Sequence, residues 1–342
     1  MPTSRQRMLD AFHYRHPDKI PVVYHSSPAG LHTHGQKLLD LFNQYPPDNP
    51  IVFDHIPAPP VGTVKIQGQY REIRTDEWGT TWEHNIFGVH GHPIAYPFPN
   101  WQAAKDYSFP PFHAMGTPEF EAEKIAIQKQ KETHLVFRGW ISIFEKLHAL
   151  CPIDDLLVDL ALRDSNLLAF LDRLVDYWQQ HIACELSLGT DVFVFGDDWG
   201  TQTAQIISTS MFCDIFKPRY QTLMEPIHRA GKKVFFHSCG HLGDIFGELI
   251  ELGINGFWPQ ITRYNPNTFP DMCKQHGIVI YIHPDRQHLI PLGTPAEIEA
   301  AIQQYAERYH TFGGGGIFYI EMENDAPFEN VCTLIKAVHQ YR

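Results

Sequence analysis

The sequence His237-Ser238-Cys239-Gly240 ends a short apolar run, Lys233 to His237. Alternation along a strand puts residues two apart on one face, so His237 and Cys239 can reach the same side. Imidazole and thiolate together suit a borderline-soft cation such as Zn2+. Gly240 frees the backbone for a sharp turn. The helix expected after it would present a positive dipole end, which predicts a lowered thiol pKa at Cys239. A buried free cysteine beside an ordinary histidine has the same spacing, so a third ligand decides between the two. Cys151, Cys184, Cys213, Cys273 and Cys332 all fall in apparent helices. Glu321 and Glu323 lie two apart after the last apolar run and share a face if the strand continues. Glu321 is the expected third ligand and Glu323 the fallback. Three protein ligands and an open position describe a catalytic site. The competing reading of the glutamates is a solvated mouth, or ion pairs with Arg138 or Arg286.

Asp197 and Asp198 form a second constellation. Adjacent strand residues point to opposite faces, so only one carboxylate can serve a site. Asp197 is the expected proton carrier, and its neighbour is left to cap a turn. Further polar groups follow other apolar runs: His25, Arg138, Gln260 and His283, with Trp199 as an apolar wall. These five are the expected substrate-binding residues. Polar residues at strand ends also arise simply because chains turn polar there, and tryptophans at such places are more often core.

The elements that must position these groups alternate. Candidate strands are Ile20–Tyr24, Ile51–Asp54, Thr133–Arg138, Asp191–Phe195, Lys233–His237, Gly256–Trp258, Ile278–Ile282 and Ile317–Ile320. Each is a short, nearly continuous apolar run, as parallel strands buried on both faces require. Helical patterns lie between them, among them Ser165–Leu186 and Thr294–Tyr309, the latter opening on a capping Thr, a Pro and a Glu. Eight strands alternating with helices predict a (β/α)8 TIM barrel, an α/β fold whose active site forms at the carboxyl ends of the strands. An open doubly wound sheet is the alternative, but no Gly-rich strand-to-helix turn is present. The stretch Val64–Phe98 alternates like a hairpin and predicts a β-rich insertion after strand 2, within one domain spanning 1–342.

Composition narrows the function. The chain has 342 residues, 43% of them hydrophobic, enough to build one large core. A net charge of −12 without a basic block excludes a surface that tracks nucleic-acid phosphates. No apolar run approaches a membrane span, and no apolar signal core follows Met1–Asp10. Six cysteines without paired spacing fit reduced thiols in a cytoplasmic protein.

The ordered set Arg15-His16-Pro17-Asp18-Lys19-Ile20-Pro21-Val22, Asp76-Glu77-Trp78-Gly79-Thr80, Gly196-Asp197-Asp198-Trp199-Gly200, Phe236-His237-Ser238-Cys239-Gly240 and Ala326-Pro327-Phe328-Glu329-Asn330-Val331 resembles the uroporphyrinogen decarboxylase superfamily over almost the whole chain. It is most similar to that superfamily's zinc-dependent corrinoid methyltransferase branch. The resemblance implies a TIM barrel, a zinc held by His237 and Cys239, a small-molecule substrate and a corrinoid protein as partner. In that branch a second cysteine near the last strand completes the metal site; here the region offers Glu321 and Glu323 instead. True decarboxylases of the family carry an Arg-rich glycine motif after the first strand. Tyr24-His25-Ser26-Ser27-Pro28-Ala29-Gly30 contains no arginine, which argues against porphyrinogen decarboxylation. The leading expectation is therefore a zinc-dependent methyltransferase working between a corrinoid protein or methylated small molecule and an acceptor activated at the metal. The alternatives are a decarboxylase or lyase of an aromatic or heterocyclic acid using Asp197, and a non-catalytic corrinoid- or tetrapyrrole-binding module.

Overall fold

The structure is a computed structural model that describes residues 2–63, 68–112, 114–310 and 313–342. Seven parallel strands form one curled sheet: β1 (Val22–Tyr24), β5 (Phe137–Ile141), β6 (Val192–Gly196), β7 (Lys233–Ser238), β8 (Gly256–Pro259), β9 (Val279–Ile282) and β10 (Gly316–Ile320). Their order is β1-β10-β9-β8-β7-β6-β5. Each of these strands overlaps an apolar run expected to be a strand.

The eighth expected strand, Ile51–Asp54, has no regular structure. The backbone groups it would have paired are already taken. Asp48 Oδ2 accepts from Val22 N at 2.9 Å, and Asn49 both accepts from Tyr24 N and donates to Tyr24 O at 2.9 Å. The run also leads into Pro57, Pro59 and Pro60, which cannot donate to a ladder. Its apolar content is nevertheless used: Phe53 packs on Phe42 with ring centroids 4.3 Å apart. Among the described residues, then, no strand joins β1 to β5.

The expected β-rich excursion begins at residues 64–67, which lie outside those described. Beyond them, β2 (Glu72–Thr75), β3 (Thr81–His84) and β4 (His92–Ala95) form an antiparallel sheet in the order β2-β3-β4. Asp76 shapes its first turn by accepting from Trp78 N, Thr80 N and the Trp82 indole.

The core has two layers. Inside the curl, Val23, Val192, Phe235, Val279, Tyr281, Ile317 and Tyr319 pack with Phe12 of the Ser4–Phe12 helix, which plugs the amino end. Outside it, Val22, Phe193, Phe195, Phe236 and Ile280 pack against the surrounding helices. Asp164 caps Ser165–Leu188, accepting from Asn166 N and Leu167 N, and Gly189 ends it in the left-handed region. Thr294 and Glu297 exchange the reciprocal bonds of a capping box at the start of Pro295–His310. No helix among the described residues is long and apolar enough to cross a membrane.

Candidate active site

The strand register decides which side chains reach the mouth. Gly196 aligns with His237, and His237 with Trp258. Phe235 points inward, so His237 and Cys239 share its parity. The same parity carries Tyr281 to His283, Tyr319 to Glu321 and Glu323, and Val23 to His25. On β6 it runs through Val192, Val194 and Gly196 to Asp198, and passes over Asp197.

Asp198, His237 and Cys239 offer ligand atoms that all lie within 4.8 Å of one another. His237 Nε2 is 3.6 Å from Cys239 Sγ and 3.4 Å from Asp198 Oδ1. A tetrahedral zinc with bonds of about 2.0–2.3 Å has nitrogen–sulfur and nitrogen–oxygen edges of about 3.5 and about 3.4 Å, so the donor set fits this ion. The histidine tautomer also fits. Its Nδ1 lies 3.1 Å from the Trp258 carbonyl, which can only accept, so the proton sits on Nδ1 and Nε2 keeps a bare lone pair. Burial lowers the pKa of this imidazole, against the charge of Asp198, and keeps it neutral. Asp198 Oδ1 is held in place by Cys239 N, which donates to it at 2.7 Å.

The expected low thiol pKa is corrected. The following helix begins only at Ile245, too far along the chain for its dipole to act on Cys239. Burial, then the charge of Asp198, pushes the thiol up to about 12. Gly240 does turn sharply, at φ 77°, and a Cβ there would lie 2.2 Å from the Gly200 carbonyl oxygen.

Glu321 does not join the cluster of Asp198, His237 and Cys239, and neither does Glu323. Trp258 stands between, its ring 4.2 Å from His237 and 6.0 Å from His283 by centroids. Glu321 instead faces Arg286 at 3.2 Å, His283 Nε2 at 3.6 Å and His25 Nδ1 at 3.8 Å, while Glu323 lies 3.4 Å from Arg286. The Trp258 indole donates to His283 Nδ1 at 3.1 Å, which places the His283 proton on Nε2. That nitrogen is buried and has no hydrogen-bond partner among the described residues. Burial and the positive Arg286 push His283 down to about 3, so it is a neutral donor. Burial raises Glu321 as well, against Arg286. Gln260 reaches back to the cluster, accepting from Gly240 N at 3.3 Å.

Three expected site residues lie elsewhere. Asp197 is fully buried, and its oxygens accept from Ile143 N at 2.8 Å, Glu145 N at 2.7 Å and the Tyr220 hydroxyl. It fixes the turn after β5, and burial pushes it up to about 7. Arg138 has the outward parity of Phe193 and pairs with Glu185 and Glu123 on the helices at 2.7 and 2.6 Å. Trp199 is fully buried against Phe144, Phe212 and Phe216.

Sequence reasoning left Asp198 to cap a turn and did not single out Glu145. Glu145 Oε1 accepts from Asp198 N at 3.3 Å, and its Oε2 lies 2.8 Å from His148 Nε2. A break in register after Gly139 turns Trp140 out, 51% exposed, to stack on His237 with centroids 5.8 Å apart. A Cβ on Gly196 would lie 2.9 Å from that indole, so glycine is needed there. Trp140 and Glu145 line a cavity of about 830 Å³ beneath the small sheet, and His25, Glu321 and Arg286 line a second of about 580 Å³.

Residues 153–341 match the protein family described as Uroporphyrinogen decarboxylase (URO-D). No curated protein matches the chain. Among solved structures, a methyltransferase from Methanosarcina mazei aligns over 100% of this chain and 99% of its own, with a TM-score of 0.61 and 15% identity. That likeness is one of fold. A dihydropteroate synthase from Thermus thermophilus aligns over 60% of this chain and 67% of its own, at 12% identity and a TM-score of 0.37.

Proposed function

The chain belongs to the uroporphyrinogen decarboxylase family, and on that premise we propose that it is a metal-dependent methyltransferase whose acceptor is activated at Asp198, His237 and Cys239. The observation that carries this reading is the donor set itself, with edges of 3.6 and 3.4 Å and a histidine tautomer that leaves Nε2 bare. The shared fold of the Methanosarcina mazei methyltransferase supports it, as does the lack of arginine after β1. Zinc bound there would act as a Lewis acid that lowers the pKa of an acceptor group. The protein does the rest. Trp258 fixes the His237 ring, Cys239 N holds the Asp198 carboxylate, and Trp140 shields the cluster from water. Across the mouth, Glu321 and the protonated Nε2 of His283 bind and orient substrate, with His25 and Gln260 at the edges. A corrinoid protein is the methyl donor this reading favours. We take the chain as one barrel-like unit whose small sheet, from Glu72 to Ala95, is an excursion over the mouth.

The decarboxylase alternative needs Asp197 in the mouth, but the carboxylate oxygens there are committed to Ile143, Glu145 and Tyr220. The proposal is tested by elemental analysis of the purified protein. About one zinc per chain is expected, with loss in Cys239→Ala and His237→Ala while the folded circular-dichroism spectrum is kept. Purified protein that takes up no zinc when supplied with it would refute the proposal.

A further inference from the structure

Trp140 holds an unfavourable backbone conformation. Counted from the inward Phe137, alternation would turn its side chain toward the surrounding helices. The register breaks between Gly139 and Ile141, and Trp140 takes φ 59°, in the left-handed region that a side chain disfavours. Gly139 before it, at φ 110°, permits the turn. The result is an indole half in water at the mouth. Backbone strain kept for a ring that the core does not bury marks a functional position.

The side of the ring toward the sheet is occupied. It stacks on His237 with planes 29° apart, and Gly196 clears the space for it, since a Cβ there would lie 2.9 Å from the indole. The rest of the ring lines the larger cavity, whose volume of about 830 Å³ falls among small-molecule sites, which run from about 300 to about 1,000 Å³. Trp78 and Trp178 line it too, but both are buried, and the Lys146 ammonium already covers Trp78, 4.0 Å from its centroid. From the small sheet, Trp82 and His90 face the same space, their rings 4.7 Å apart and the Trp82 N–H held by Asp76. Aromatic surface therefore stands on both walls, and the most open part of it is Trp140.

Taking the mouth as the ligand site proposed above, we propose that the open face of Trp140 is the platform for a planar aromatic ring of the small-molecule substrate, and so selects an aromatic methyl donor or acceptor. Offset stacking of two rings adds attraction beyond the area they bury. A ring held there stays close to the cluster, because the same indole touches His237. The competing occupant of an indole face is a cation. Of the charges lining the cavity, Asp76, Glu77 and Glu145 stand against Arg74, Lys146 and His148, the last paired with Glu145 at 2.8 Å. Charge so nearly balanced leaves ring area as the larger attraction and favours a neutral ring.

The test is fluorine nuclear magnetic resonance of the full chain labelled with fluorotryptophan, the Trp140 signal among the seven being assigned by its loss in Trp140→Phe. The probes are naphthol, its saturated counterpart decalol, and tetramethylammonium. Naphthol should shift the Trp140 signal saturably and leave those of the core residues Trp101 and Trp199 in place. Decalol, which cannot stack, should bind at least about threefold more weakly, and Trp140→Leu, followed at the Trp82 signal, should weaken naphthol at least about fivefold. Trp140→Phe should keep most of the affinity. Trp140 is exposed, so its replacement leaves the core intact. Gly196→Ala pushes on the same indole and should move the Trp140 signal with no probe added. Cys239→Ala should lose metal and keep the naphthol shift, so failure of the metal reading and failure of the aromatic platform are told apart. A Trp140 signal that naphthol does not move, equal affinity for decalol, tetramethylammonium binding tighter than naphthol, or unchanged affinity in Trp140→Leu overturns the proposal.

Discussion

Replacing Asp198 by Asn, with Glu321→Gln as its counterpart, separates the metal site read from the structure from the one expected from spacing. Asn keeps an oxygen to accept from Cys239 N, so the local fold should hold and only the charge and ligand strength change. Substitutions of outer-sphere partners cost about 10–100-fold in metal affinity. A direct ligand should cost at least the top of that range, about 100-fold, or about 2.7 kcal/mol. Glu321 is separated from His237 by the Trp258 ring, and its partners are Arg286, His283 and His25. Glu321→Gln should therefore change zinc affinity less than about threefold, within the scatter of substitutions at unshared sites. The assay is competition with a chromophoric chelator, with thermal melting of the apo protein as the control for folding. If Glu321→Gln carries the large loss and Asp198→Asn costs little, the third donor is Glu321 and the parity argument for Asp198 is wrong.

Arg138→Ala leaves Glu185, 6% exposed, with little beyond the Thr190 hydroxyl. Breaking a fully buried pair costs about 3–5 kcal/mol, and the partial exposure of Arg138 reduces this to about 2–3 kcal/mol, readable by urea unfolding, with zinc affinity unchanged. Gly240→Ala forces a Cβ against the Gly200 carbonyl at φ 77° and should cost at least about 2 kcal/mol, together with the metal; a variant as stable as the parent contradicts the close approach. His339 accepts the Tyr24 hydroxyl at 2.9 Å, and burial, with the charges of Arg342 and Lys19, pushes it down to about 4. Its folded value lies below the unfolded one of about 6.5, so its contribution is complete above that pH and is lost as pH falls toward 4. The difference in unfolding free energy between pH 7 and pH 5 should shrink in His339→Gln, and an unchanged difference would count against this.

The fold was legible because parallel strands buried on both faces leave apolar runs, and seven such runs are strands. The run at Ile51–Asp54 misled because apolar content records burial and not pairing. Phe53 is buried without a ladder, and side chains of Asp48 and Asn49 serve the edge of β1. That His237 and Cys239 lie side by side was legible because they belong to one strand, whose own alternation relates them. That Asp197, Arg138 and Trp199 lie away from this cluster was not legible, because placing each needs a relation between elements. A one-residue ambiguity in where β6 meets β7 exchanges Asp197 for Asp198.

That dependence on register also accounts for the composition of the mouth. Gly196 aligns with His237, and the side chain that would occupy its place comes from Trp140, turned out by the break in β5. Beyond Gly196 the inward parity next falls on Asp198, one step further out, level with Cys239. The β6 strand can therefore bring a carboxylate to the cluster, while β10, separated from it by Trp258 and His283, brings its glutamates only to the far wall. A second cysteine near the last strand would have to cross the same rings to reach His237. The inward Trp258 and the glutamates, in place of a cysteine, just past the end of β10 thus belong to one arrangement, in which the third donor of the proposed metal site, Asp198, comes from the neighbouring strand on the other side.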